Sequence, residues 1–169
     1  MPINAYIQPI IEENFKEDPL YRSLEIYMQR LGYLVTYREK LNWTDKIDVF
    51  TIGDEGELKE LKKLAAKNDR TLLFYAKLTK KTVYQHVICH PNDSGIYLPF
   101  HFERPFTLSN NQKPLWFGSA PKLLQELKWL EISLKNNGDD SLFAYWDQFQ
   151  QAAHLAIDSM SPMLLKKED

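Results

Sequence analysis

Three of the four histidines, His86, His90 and His101, lie in one short stretch of the chain. Alternation along two paired strands places them on one face of a predicted hairpin over residues 82–103. Glu103 lies on the same face. Neutral imidazole and carboxylate both bind zinc and similar ions, so these four residues form a candidate metal or acid–base site. The alternative is a partly exposed sheet face of ordinary polar residues, because a register shift of one residue moves His101 to the opposite face.

Cys89 is the only cysteine, which excludes an intrachain disulfide and every zinc site built from several cysteines. It lies on the core-facing side of the same predicted hairpin, where a free cysteine acts as a small apolar side chain. Adjacent strand residues point apart, so a nucleophilic pair with His86 or His90 is not expected. The fourth histidine, His154, lies beside apolar residues of a predicted helix, and we expect it to pack there.

A helix followed by three predicted strands resembles the core of restriction endonucleases. In that core, an acidic residue on the second strand and a Glu-x-Lys on the third strand bind a metal ion. Asp48 and Lys77 match two of these positions, but Tyr75 stands where the second carboxylate belongs. The resemblance therefore implies a degenerate, inactive relative, with a parallel strand pair that brings Asp48 and Lys77 together.

Large apolar residues cluster in residues 104–118, which show no clear periodicity and are predicted to form a long loop. The candidate partner-binding residues in this loop are Phe106, Leu115, Trp116 and Phe117. Loops carry binding residues more often than regular elements do, and buried aromatic residues dominate protein interfaces. The alternative is that these side chains fold back and seal the core.

Apolar periodicity predicts the elements that position these residues. Helices are predicted over residues 18–32, 56–67, 120–135 and 140–160, and strands over 33–39, 46–52, 71–78, 82–90 and 95–103. Asp18, Asp54 with Glu57, and Ser119 are predicted N-terminal caps. This order favours an α+β fold, a mostly antiparallel sheet of about five strands with helices packed on one face or end. We expect residues 1–169 to form a single domain.

Charge and hydropathy exclude several classes of protein. The 21 basic and 23 acidic residues give a formal net charge of −2 without a basic stripe, so a general duplex-binding protein is not expected. No apolar run approaches the ~20 residues of a membrane helix, and no signal-peptide pattern is present, so we expect a cytoplasmic protein. The chain has no phosphate-binding or nucleophile-elbow motif, and no cofactor is expected.

The C-terminal half resembles small uncharacterised bacterial proteins in residues 95–102, 118–131 and 145–159. This resemblance implies a bacterial cytoplasmic protein that binds another protein, as immunity proteins do. It carries over no catalytic residue and no ligand.

The leading hypothesis is a non-enzymatic protein-binding domain, immunity-like or adaptor-like. Its expected partner is another protein, with a homodimer as one option, and neither nucleic acid nor a membrane. On this hypothesis, Trp116→Ala and Phe106→Ala leave the fold intact and weaken partner binding. The two alternatives are a metal-binding or hydrolytic enzyme that uses the histidine face, and a degenerate nuclease-fold domain.

Overall fold

The computed structural model describes residues 1–10, 19–32, 46–92, 94–110 and 113–168, and within these ranges the chain forms six strands and seven helices. The strands are β1 (Pro2–Ile7), β2 (Asp48–Asp54), β3 (Ile96–Leu98), β4 (Phe106–Asn110), β5 (Lys113–Ser119) and β6 (Met163–Lys167). The helices are α1 (Pro19–Arg30), α2 (Glu55–Asn68), α3 (Leu73–Thr79), α4 (Gln85–Ile88), α5 (Ala120–Trp129), α6 (Glu131–Asn137) and α7 (Asp140–Asp158). The predicted strand 33–39 and the predicted Asp18 cap lie outside the described residues.

The six strands form one sheet in the order β2-β1-β6-β3-β5-β4. Every neighbouring pair is antiparallel except β3 with β5, which is parallel. The prediction of an α+β fold with a mostly antiparallel sheet is confirmed, with six strands instead of about five. Strand β6 was not predicted, because a short apolar run directly after a helix has no periodicity that separates it from a loop.

Alternate strand residues point into two cores, one on each side of the sheet. Ile3, Ala5, Tyr97, Met163 and Leu165 face the larger core, and Ile96, Leu98, Phe117 and Leu164 face the smaller one. Helix α1 covers the smaller core with Leu20, Leu24 and Met28. Nearly all buried apolar residues of the other helices belong to the larger core. The two faces are therefore both covered by helices, with most of the helical residues on one side.

The starts of α2 and α5 were predicted correctly, because each helix has a capping residue directly before it in the sequence. Helix α2 begins after Asp54, whose backbone N–H donates to the Glu57 carboxylate at 2.7 Å. Helix α5 begins after Ser119, whose hydroxyl accepts the Lys122 N–H. The predicted helix 120–135 is divided at Leu130 into α5 and α6. None of the described helices is long and apolar enough to cross a membrane.

The predicted strand over residues 71–78 is wrong, because this segment is helical. Residues 71–78 contain most of α3, in which Leu73 and Ala76, three positions apart, are the residues that pack against the core. Lys77 thus lies on a helix, and β2 pairs antiparallel with β1, so the nuclease-like parallel pair of Asp48 and Lys77 does not form.

The predicted hairpin over 82–103 is also wrong. Residues 85–88 form the short helix α4, and β3 pairs with β5 and β6 instead. In contrast, the predicted loop 104–118 contains the hairpin of β4 and β5, in which Phe106 lies opposite Phe117. Pro114, within β5, interrupts the sequence pattern from which a strand would be predicted.

Candidate functional site

The first predicted site residue, His86, is buried and paired with Glu126 of α5. The Glu126 Oε1 atom lies 3.0 Å from His86 Nδ1 and accepts the His86 backbone N–H at 3.1 Å. Its Oε2 atom accepts the Val87 N–H at 2.9 Å. The carboxylate therefore caps the N-terminus of α4. It also contacts the His86 ring and so orients it.

His90 is enclosed by aromatic rings. It stacks on Tyr97 at a centroid distance of 5.4 Å and meets the edge of Trp116 at 5.2 Å. Burial lowers the pKa of His90 well below its usual value, and the nearby Lys62 ammonium lowers it further. Gly95 is required here, because its φ is +142° and a Cβ would lie 2.4 Å from His90 Nε2. His90 is therefore a neutral ring packed in the core.

The remaining two predicted ligands, His101 and Glu103, lie at the surface. His101 Nε2 is 3.7 Å from Glu103 Oε1, and Lys122 Nζ is 3.3 Å from Glu103 Oε2. The predicted common face does not exist, because its hairpin does not form. Within the described ranges, no group of three His, Cys, Asp or Glu side chains could hold a metal ion. The metal site stays a prediction that this arrangement does not support.

Lys62 is almost fully buried beneath the loop that follows α4. Its Nζ donates to the His90 carbonyl oxygen and to Asn92 Oδ1. Burial lowers the pKa of Lys62 to about 7, and the positive charge of Lys77 lowers it further. The half-buried Cys89 lies nearby, and burial raises the pKa of its thiol, so the thiol is protonated at neutral pH.

The four predicted partner-binding residues divide into two pairs. Phe106 and Phe117 are buried and stacked at 5.3 Å in the smaller core. Leu115 and Trp116 are half-buried and line a cavity of about 350 Å³ that also reaches Cys89. The alternative interpretation, that these side chains seal the core, therefore describes Phe106 and Phe117.

A concentration of negative charge was missed by the sequence reasoning. Residues 47–58, which hold β2 and the start of α2, contain four carboxylates and no Lys or Arg. Residues 136–165, which include α7, also contain four carboxylates and no Lys or Arg. We call these eight groups the carboxylate face: Asp48, Asp54, Glu55, Glu57, Asp139, Asp140, Asp147 and Asp158. The small net charge of the whole chain conceals this local excess.

The two acidic segments lie against each other in the fold. Helix α7 contacts both β2 and α2. The junction is tight at Gly53, where a Cβ would lie 2.5 Å from Tyr145 Cδ2 and 2.2 Å from Glu57 Oε2. The φ of Gly53 is +151°, a conformation that favours glycine. One glycine therefore allows the start of α2 and the side of α7 to meet.

The outward stripe of α7 has helical spacing. Asp140, Asp147 and Asp158 follow one another at intervals of seven and eleven residues, which correspond to about two and three turns. Asp140 and Asp158 are exposed and Asp147 is half-buried. Asp139 is the N-cap and accepts the backbone N–H groups of Ser141 and Leu142. These hydrogen bonds lower the pKa of Asp139.

Few of these carboxylates are neutralised by ion pairs. Glu55 pairs with Lys167 at 2.8 Å, and Asp54 lies 3.5 Å from the N-terminal amine. Within the part of the chain that the structure describes, no ion pair is found for Asp48, Asp140 or Asp158. Their charges are thus available to a basic partner.

A family model described as "Putative DNA-mimic protein" matches residues 28–163. The chain belongs to this family. Neither a curated protein nor a solved structure matches the chain. Membership in the DNA-mimic family reaches from the end of α1 to the start of β6, so the likeness to uncharacterised proteins is not confined to the C-terminal half.

The DNA-mimic family overturns the leading function hypothesis. An immunity-like or adaptor-like domain is the wrong description, because the family is described as one of DNA mimics. The partner prediction is corrected on the same ground, because the family description points to a partner that binds DNA and not to a second copy of the chain. The two alternatives, a histidine-based enzyme and a degenerate nuclease, gain no support from the family description.

Proposed function

We propose that this member of the DNA-mimic family binds a DNA-binding protein and occupies its DNA site with the carboxylate face. The observation that carries the proposal is the packing of two acidic segments without Lys or Arg against each other. DNA-binding proteins obtain most of their affinity from Lys and Arg side chains that contact phosphates. Carboxylates held on a rigid helix and strand offer those side chains an alternative set of anions.

The dimensions of α7 suit this role. Asp140 and Asp158 are separated by about 27 Å along the helix, at 1.5 Å per residue. A duplex of that length carries about 16 negative charges, at one charge per about 1.7 Å. The eight carboxylates of the face amount to half of that number. The protein therefore imitates part of a duplex. Its density of negative charge is the density that one helix and one strand can provide.

Basic residues are concentrated in another segment. Residues 59–81 hold eight Lys or Arg and only two acidic residues. A uniformly mixed surface would attract no basic partner at a chain charge of −2. Segregation lets a nearly neutral protein present a local anionic surface, and it orients an approaching partner through the electrostatic field.

We also propose that the protein acts in the bacterial cytoplasm. The resemblance of residues 95–159 to bacterial proteins supports this setting. A single free cysteine, Cys89, is compatible with a reducing compartment, where a DNA-binding partner would be present.

The proposal is tested by capture and elution with DNA. The immobilised chain is incubated with lysate of the source organism and then washed with a short duplex. We expect a DNA-binding protein to elute, and we expect the purified partner to release a labelled duplex in a mobility-shift assay when the chain is added. Asp147→Asn combined with Asp158→Asn should weaken this competition about tenfold.

The matched control is Glu103→Gln combined with Glu131→Gln, which removes two carboxylates outside the face. Glu103 pairs with Lys122 and Glu131 pairs with Lys135, so both groups are already partly neutralised. Equal losses in the two double variants would contradict the proposed face. A ternary complex of chain, partner and duplex would contradict DNA mimicry itself.

A further inference from the structure

Helix α3 and the turn before it expose large apolar side chains. Leu72, Phe74 and Leu78 have 77%, 79% and 70% of their surface exposed, and Tyr75 has 52%. We call these four residues the α3 patch. Contiguous apolar side chains with this exposure are uncommon on an isolated protein and mark an interaction site. The buried side of the helix is narrow, because Ala76 is its one buried residue.

The charges close to the α3 patch in the sequence are mostly positive. Residues 69–92 contain four basic residues, Arg70, Lys77, Lys80 and Lys81, and one acidic residue, Asp69. Lys77, Lys80 and Lys81 form no ion pair with any other residue that the structure describes. This patch would therefore repel the basic surface of a DNA-binding protein, and its partner must be anionic.

We propose that the α3 patch binds the surface of an anionic lipid membrane. Aromatic and leucine side chains next to lysines are the composition that inserts into the headgroup region of such a membrane. Phe74 and Leu78 protrude from a helix of seven residues and Leu72 from the residue before it, and a fluid bilayer accommodates protruding groups without a preformed groove. That no described helix is long and apolar enough to cross a membrane does not bear on binding of this kind, which takes place at the surface.

This inference rests on residues different from those of the carboxylate face, so either proposal can fail alone. It is tested by co-sedimentation of the full chain with vesicles of phosphatidylcholine, with and without phosphatidylglycerol. We expect binding only to the vesicles that contain phosphatidylglycerol. Phe74→Ser combined with Leu78→Ser should abolish it, and Lys77→Gln combined with Lys81→Gln should weaken partitioning about fivefold for each lysine removed.

The control variant is Ile132→Ser, because Ile132 is 75% exposed on α6 outside the patch. Circular dichroism of each variant establishes that the fold is retained, which is expected because all the altered side chains are exposed. The proposal is overturned if the wild-type chain does not sediment with anionic vesicles, or if Phe74→Ser with Leu78→Ser binds as well as Ile132→Ser. It is also overturned if sedimentation equilibrium shows that the patch pairs two copies of the chain.

Discussion

The Glu126 carboxylate is fully buried, and both of its oxygens accept hydrogen bonds from the start of α4, forty residues away in the sequence. Those donors have no other partner in the described part of the chain when the carboxylate is removed. A buried polar group without a partner costs about 1–3 kcal/mol. The helical form of residues 85–88 is thus determined by a distant residue, which explains why their local pattern predicted a strand.

Glu126→Leu should therefore lower the free energy of unfolding by about 3 kcal/mol or more, because two buried N–H groups and His86 lose their partner. Urea denaturation followed by tryptophan fluorescence measures the change. The comparison is Glu131→Leu, in which an exposed helical ion pair worth about 0.3–0.5 kcal/mol is lost. Similar losses in the two variants would contradict the capping role of Glu126.

Lys62 makes the stability depend on pH above neutrality. Its pKa is about 7 in the folded chain and near 10.5 when unfolded, so between these values the unfolded chain binds one more proton. Stability should then rise with pH above about 7, by about 1.4 kcal/mol per pH unit. Thermodynamic measurements between about pH 7 and pH 9 should show this rise, and Lys62→Met should remove it. An unchanged slope in Lys62→Met would assign the effect to another group.

His90 also makes the stability rise with pH, but over a lower pH range than Lys62. Its folded pKa lies well below 6.5, so the unfolded chain gains a proton first as the pH falls. Stability from this group is fully present above its unfolded value and is lost as the pH decreases towards the folded value. Lys62 and His90 therefore affect adjacent pH ranges and can be separated by single substitutions.

At the scale of helices and strands, the sequence predicts those elements that are determined by residues close to one another in the chain. The helices α1, α2 and α7 were predicted because each has an apolar stripe at helical spacing and, for α2, a cap within four residues. Helices α3 and α4 and strand β6 were not, because they depend on packing against distant segments. The carboxylate face could have been found by searching for long intervals without Lys or Arg, a signal that the average composition hides.

The β4–β5 hairpin gives a test of the predicted partner-binding residues. Phe106 is buried against Tyr27 and Phe117, so Phe106→Ala should cost about 3–5 kcal/mol of stability. Trp116 is half-buried, and Trp116→Ala should cost less than half as much. Urea denaturation of both variants measures the difference. If Phe106→Ala were as stable as the wild type, Phe106 would be a surface residue, as the sequence interpretation supposed.

At the scale of the whole molecule, the separation of charge matters more than the net charge. Opposite charges cancel in any average over the chain. The acidic segments lie around β2 and α7, and the basic segment runs from α2 to α3. A single domain spanning residues 1–169 stays a prediction. The proposed mimicry depends on the acidic side of this distribution.

Mimicry by carboxylates should be less sensitive to salt than DNA binding is. Duplex DNA releases condensed counterions when a protein binds, so the logarithm of affinity falls with a slope of about −0.9 per phosphate contacted. Eight carboxylates on a folded surface condense far fewer counterions. Titrations of the captured partner at several salt concentrations should therefore give a shallower slope with the chain than with a duplex. Equal slopes would contradict this account of the interface.

Strand β6 lies between β1 and β3, so it joins the two parts of the sheet. Without it, β2 and β1 would form one ribbon, and β3, β5 and β4 would form another. During synthesis, the sheet therefore cannot be completed until Lys167 has been added, although β1 is made long before β6. Until β6 has been made, one edge of β1 and one edge of β3 lack their partner strand, and a chain that stops before Met163 would leave the sheet in two parts.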